Sequence, residues 1–236
     1  MRRKLTVSVF VFFLSFLQPM VGLAQDISLP IIDGVITEGE YRRQIQESTT
    51  NISIYLYNDE EYLYTGLVSP GLGWIAIAFE RNGTFHRGAD IIFAYVKNGQ
   101  LSIYDQYGVG SEIHKSDEDL GGTYDILESA GTESGGMTTV EFRIPLNSGD
   151  PFDKVLVPNM NYAVLVAYQA TADDLITLHT RAGYATIDIV PEFTSTLVVA
   201  LFFFASLVAV ALHKWRLSCS ASTKEHAKPS SSSVLI

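Results

Sequence analysis

The chain has 236 residues, 47% of them hydrophobic, and 16 basic against 26 acidic side chains give a formal net charge of −10. That balance repels a polyanion and excludes a nucleic-acid-binding surface, while leaving a cationic partner open. A single cysteine, Cys219, excludes a disulfide framework.

In chain order, Arg2, Arg3 and Lys4 precede an apolar run at 5–17, and Gly22 and Ala24 place small residues at the −3 and −1 positions of a cleavage site. Residues 1–24 are therefore predicted to be a secretory signal peptide. The region 25–192 that follows carries nine Lys/Arg against 25 Asp/Glu, a net −16, and no cysteine, so it must fold around one substantial apolar core. Asn51-Ile52-Ser53 and Asn82-Gly83-Thr84 are glycosylation sequons and mark expected surface positions of a glycoprotein.

Short apolar or alternating runs recur at 51–57, 62–68, 74–79, 91–96, 101–107, 123–129, 137–144, 162–170 and 185–189. They are rich in Val, Ile, Tyr and Phe, with Gly, Asn, Asp and Pro in the gaps. This pattern predicts an all-β fold, an antiparallel immunoglobulin-like β-sandwich over 25–192. Between two of the runs, Asn98-Gly99 predicts a type I′ hairpin, because both residues tolerate the positive φ that this turn requires.

The run 193–212 contains no charge, and His213, Lys214, Trp215 and Arg216 follow at once. Twenty residues at about 1.5 Å each reach roughly 30 Å, so one transmembrane α-helix is expected, with the basic side inside. The expected product is a single-pass type I protein of the cell membrane or another secretory-pathway membrane. Its ectodomain lies outside the cytoplasm, and 213–236 forms a disordered cytoplasmic tail. Cys219, close to the membrane, is a candidate for acylation or simply a free thiol.

Motifs for catalysis are scarce. The chain has no phosphate-cradling glycine loop, nucleophile elbow or His-Glu-x-x-His, so no enzyme activity is expected. The acidic clusters at 58–61 and 117–119 match no EF-hand loop and read as solvated turns rather than calcium ligands.

Several stretches taken together resemble a known family. "IDGVITEGEYRR" opens the region; "GWIAIAF" and "HRGADIIFAYVKNGQLSIYDQYGVG" form its centre; "VEFRIPLNSGDPFD" and "NYAVLVAYQATADDLITLHT" follow. In order and spacing they resemble DOMON domains and their relatives among family-nine carbohydrate-binding modules, over 32–188. In cytochrome members of the family, a methionine in the central turn and a histidine near the last strands hold a b-type haem. Here the methionine position falls on His86 and the histidine position on His179. The resemblance thus implies a non-covalent haem b with bis-histidine ligation at His86 and His179, which would be both the cofactor-binding and the metal-ligating residues. Met137 and Met160 lie at no matching position, and His114, in "SEIHKSDED", reads as an exposed residue. Arg143 and Asp150, in "FRIPLNSGD", read as structural.

Two functions follow from the resemblance. The first is an electron-transfer domain that passes single electrons to a separate redox partner protein. The second is a haem-free surface module that binds a carbohydrate or protein. The second needs an exposed aromatic platform, and Trp74, the only tryptophan of the region, sits in a run expected to pack in the core.

Overall fold

The computed structural model describes residues 28–79, 86–190 and 195–225. The predicted signal peptide and Asn82 lie outside the described residues. The chain divides into two compact units, one of which is Asp26–Glu192.

Eleven strands are described in this unit. In chain order they are β1 (Arg43–Gln46), β2 (Ser53–Asn58), β3 (Tyr62–Ser69), β4 (Ile75–Phe79), β5 (Asp90–Lys97) and β6 (Gln100–Gly108), followed by β7 (His114–Ser116), β8 (Glu128–Ser134), β9 (Met137–Pro145), β10 (Asn161–Tyr168) and β11 (Arg181–Asp188). A one-turn helix, α1 (Asp117–Leu120), follows β7. They form two antiparallel sheets, ordered β1-β2-β3-β9-β8 and β11-β10-β4-β5-β6-β7. One core cluster draws Ile54, Leu67 and Phe142 from the first sheet and Ile77, Phe79 and Val166 from the second, so the sheets pack face to face as a sandwich.

The Asn98-Gly99 hairpin forms as predicted: both residues have positive φ, 54° and 76°, and Lys97 pairs with Gln100. Two edges differ from the sequence reading. The run at 123–129 is a strand only from Glu128, and β8 continues to Ser134 through the polar Glu-Ser-Ala-Gly-Thr-Glu-Ser segment. The three-residue β7 is also unexpected; it pairs with β6 through Gly108↔His114, a tertiary contact that no local periodicity announces.

The outer face of the five-stranded sheet is covered by the segment before β1. Glu141 of β9, fully buried, anchors that segment by accepting hydrogen bonds from the Gly34 amide (2.7 Å), the Asp33 amide (3.3 Å) and the Tyr41 hydroxyl (2.8 Å). Gly66, opposite Glu141 in the ladder, leaves the space that Ile36 fills: a Cβ there would lie 2.7 Å from Ile36 Cδ1. Arg143 shares this outer face, with its guanidinium 5.0 Å from the Tyr62 ring centre. Asp150 holds a turn by accepting from the Phe152 amide and the Thr123 hydroxyl.

The other unit contains a helix, α2 (Ser195–Glu225). No glycine or proline interrupts it, and it runs past Leu212 into the segment expected to be disordered. Large apolar side chains from Leu201 to Trp215 are exposed along it. Among the described residues, no helix is long and apolar enough to cross a membrane, and the expected span 193–212 lies partly outside them.

Glu141→Ala would leave three donors without their acceptor under the N-terminal segment. Urea denaturation of the full-length chain should show a loss on the order of 1–3 kcal/mol, and an unchanged midpoint would contradict the anchoring role.

Candidate functional site

The six-stranded sheet has a second face. Along β4, Ile75, Ile77 and Phe79 enter the sandwich core, so Trp74, Ala76 and Ala78 face outward. Leu165 and Ala167 of β10 and Ile91 and Phe93 of β5 share that outward face. The three alanines keep the centre of the face low while the larger residues rise at its sides. The result is an apolar cleft of about 320 Å³, within the size range of small-molecule sites, roughly 300–1,000 Å³.

Three histidines line this cleft: His86, His114 and His179. They come from three separate elements. His86 precedes β5 in a turn, and its backbone is left-handed, with φ 59°. The turn is tied to the end of β6: the Gly88 amide donates to the Gly108 carbonyl (2.7 Å), the Gly108 amide donates to the Ala89 carbonyl (2.9 Å), and the Ala89 amide closes back on the His86 carbonyl (3.0 Å). Gly108 permits this approach, because a Cβ there would lie 1.3 Å from the His86 carbonyl oxygen.

His179 lies on the β10–β11 loop, which is pinned at several points. The Trp74 indole donates to the Thr177 carbonyl (2.9 Å), the Trp74 amide donates to the Ala172 carbonyl (3.0 Å), and the Thr180 amide donates to the Tyr168 carbonyl (2.7 Å). Asp174 turns the loop by accepting from the Ile176 and Thr177 amides. Trp74 is thus buried, as expected, and stacks near Phe93 with ring centres 4.6 Å apart, but it packs under the cleft loop rather than in the central core.

His114 corrects the sequence reading. Pairing of β7 with β6 turns the imidazole onto Phe93, with ring centres 5.9 Å apart and an interplanar angle of 24°, and half-buries it in the cleft wall. Its Nδ1 is buried and has no hydrogen-bond partner among the described residues. The only sequence signal was the histidine itself in a charged stretch; the pairing that turns it inward comes from tertiary structure. Met137 and Met160 are exposed and line no part of the cleft.

Burial lowers the pKa of His86, and the charge of His179 lowers it further against a smaller opposing effect of Glu112. Burial and His86 lower His114 in the same way. Both imidazoles therefore stay neutral to a lower pH than an exposed histidine, the form in which an imidazole can ligate a metal. The rim is apolar and open: Ile176 is 89% and Leu178 73% exposed. The arrangement is able to take a flat apolar ligand that carries a metal centre.

A second set of chemistry-bearing residues lies on the inner side of β5, where Asp90 precedes Ile91. Carboxylate oxygens of Asp90, Asp105 and Asp153 lie within 4.8 Å of one another. Asp117, expected in a solvated turn, is fully buried, and Asp105 and Asp153 act on its carboxyl, whereas Glu118 and Asp119 are exposed as that reading required. Packing of α1 beneath β6 separates the three neighbours in sequence.

Among solved structures, the fold is similar to the cytochrome b domain of pyranose dehydrogenase from Coprinopsis cinerea, at 14% identity over 61% of this chain and 80% of that one, with a TM-score of 0.46. It is also similar to the cytochrome domain of Myriococcum thermophilum cellobiose dehydrogenase, at 12% identity over 62% and 81% of the two chains and a TM-score of 0.43. A family 9 carbohydrate-binding module from Caldicellulosiruptor kristjanssonii in complex with glucose is similar at 14% identity over 71% and 95%, with a TM-score of 0.40. Among curated proteins, none matches this chain. The DOMON domain model matches residues 46–169, more than half of the sequence, and the chain belongs to the DOMON domain family.

Proposed function

We propose that the outer cleft holds a non-covalent b-type haem between His86 and His179, and that the protein relays single electrons to a separate redox partner. The observation that carries this reading is that two histidines 93 positions apart in sequence line one apolar cleft. The residues fit the group. Ala76, Ala78 and Ala167 offer a low apolar floor, and burial lowers the His86 pKa, which favours its neutral imidazole. When bound, haem supplies a one-electron couple at iron, and two imidazoles without a thioether favour a lower potential than the Met/His pattern of the family.

The chain's own residues do the rest. The Gly88–Gly108 hydrogen bond holds the His86 turn, and the Trp74–Thr177 hydrogen bond holds the His179 loop. Phe93 stacks on the His114 imidazole in the cleft wall, and the pair would exclude water from a bound group. Exposed Ile176 and Leu178 offer an apolar edge that a cofactor or partner would cover.

A haem-free module for a carbohydrate or protein is the second reading. A smaller, polar cleft of about 220 Å³ on the other sheet favours it, lined by Thr37, Glu38, Gln44, Tyr41 and Tyr55. Anchorage by a single helix in the cell membrane or another secretory-pathway membrane is proposed for either reading. The uncharged run 193–212 and the exposed apolar side chains of α2 support it.

Full-length protein produced with ample haem should be coloured and show a six-coordinate low-spin spectrum. His86→Ala or His179→Ala should lose that spectrum, whereas His114→Ala should weaken haem retention and keep the spin state. Protonation competes with iron for each imidazole, so the low-spin spectrum should persist at neutral pH and vanish in mild acid, below the ordinary histidine range. A colourless wild-type chain that binds cello-oligosaccharides would favour the second reading. For topology, protease added to intact cells should digest the ectodomain and spare an epitope at Ile236; loss of the epitope would refute a single span with the tail inside.

A further inference from the structure

We propose that Asp90, Asp105, Asp117 and Asp153 form a calcium site on the face of β5 opposite the histidine cleft. Four elements converge there. Asp90 starts β5, Asp105 lies on β6, Asp117 opens α1, and Asp153 lies between β9 and β10. One carboxylate oxygen from each of Asp90, Asp105 and Asp153 falls within 4.8 Å of the others. Asp90 and Asp105 are each 4% exposed and Asp117 is 0% exposed.

The hydrogen bonds show that these side chains are oriented rather than merely crowded. Asp90 Oδ2 accepts from the Lys154 amide (2.9 Å) and Asp105 Oδ2 accepts from the Asp125 amide (2.8 Å). Each of these carboxylates thus spends one oxygen on the backbone. The other oxygen of each, together with both oxygens of Asp117, is buried and accepts no hydrogen bond from any donor among the described residues. Unmatched buried carboxylate oxygens are costly in a folded protein, and a cation that collects them removes the cost.

Among the described residues, the chief influences on these carboxyls include no lysine or arginine side chain. Lys154, whose amide meets Asp90, sends its ammonium over the Tyr162 ring at 5.5 Å. The groups acting on the cluster from neighbouring elements are Asp125 and Asp150, with Tyr124 and Glu118 at its margin. Burial and mutual repulsion push Asp153 up to about 6, Asp105 to about 7 and Asp117 to about 8, and raise Asp90 well above the carboxylate range. Such a cluster holds its protons to a higher pH than ordinary aspartates do, and a cation would favour the charged form.

The donor set selects the ion. Oxygen-only ligands with no histidine or cysteine exclude a preference for zinc or copper. Asp117 and Asp153 stand outside the strands, on a one-turn helix and a connection, which suits the larger and more adaptable shell of calcium better than the strict octahedron of magnesium. The inference does not depend on haem, since Asp90 and Ile91 point to opposite faces of the same strand.

The sign of the pH dependence follows from the raised pKa values. The folded empty protein binds more protons than the unfolded chain between the ordinary aspartate range and about 8, so its stability falls as pH rises through that window. Calcium requires the deprotonated form, so its stabilisation grows over the same window.

The test is thermal unfolding of the full-length chain in detergent, after EDTA treatment, with and without millimolar calcium. At about pH 8, calcium should raise Tm by about 5 °C or more, as expected when free ion exceeds its Kd about a hundredfold; the rise should be smaller at about pH 5. Magnesium should give less. Asp105→Asn and Asp153→Asn should abolish the calcium response yet melt no lower than wild type in EDTA at about pH 8, because each relieves repulsion. Glu118→Gln should keep the response. No shift in the wild type, a full shift in both Asp→Asn variants, or a larger shift at the lower pH would overturn the site. Should the variants fail to fold, calorimetric titration of the wild type decides: one calcium per chain is expected, and none overturns the proposal.

Discussion

Strand alternation along β4, β5 and β10 is the constraint on which the rest of the structure depends. Every second side chain of these strands must enter the core, and Ile75, Ile77, Phe79, Ile92, Val164 and Val166 do so. The remaining positions have to face outward at the centre of the widest sheet, where both neighbours are strands. Nature there sets the site: small side chains at Ala76, Ala78 and Ala167 leave a depression, while Phe93 and Leu165 wall it. The near-continuous apolar runs of β4 and β5 are explained by burial on both faces, one against the other sheet and one beneath the β10–β11 loop.

Two turns convert this depression into a site with chemistry. The left-handed residue His86 and the contact between its carbonyl and Gly108 fix one imidazole at the rim. The Trp74 indole, by holding the Thr177 carbonyl, fixes the loop that carries His179. One residue before Ile91 of the cleft, at the start of β5, Asp90 faces the other way into the acidic cluster. A single strand therefore presents apolar cleft residues outward and a carboxylate inward. The proposed haem and the proposed calcium would bind on opposite sides of one short piece of backbone.

Much of this was legible in the sequence because it rests on period-two alternation and turn chemistry. The Asn98-Gly99 hairpin, the strands around "GWIAIAF" and "ADIIFAYVK", and the sandwich class all follow from local pattern. His86 and His179 were legible only through family resemblance, since nothing local distinguishes them from surface histidines. What stayed hidden depends on pairing at edges. β7 is three residues long and β8 is polar, and both are held by their neighbours rather than by their own composition. His114 opens the unforeseen β7 and Asp117 follows it, so one missed edge concealed both a cleft histidine and a buried aspartate. The continuation of α2 to Glu225 was hidden for another reason: a serine-rich segment reads as unstructured even where no glycine or proline stops a helix.

The central claim is that His86 and His179 together ligate one haem iron, and the most direct measurement is pulsed EPR on the oxidised full-length protein with histidine nitrogens labelled by ¹⁵N. The account predicts hyperfine coupling from two histidine nitrogens on a low-spin iron, falling to one when either His86 or His179 is replaced by methionine. Coupling from one nitrogen or none in the wild type, or two nitrogens that survive both replacements, would contradict it.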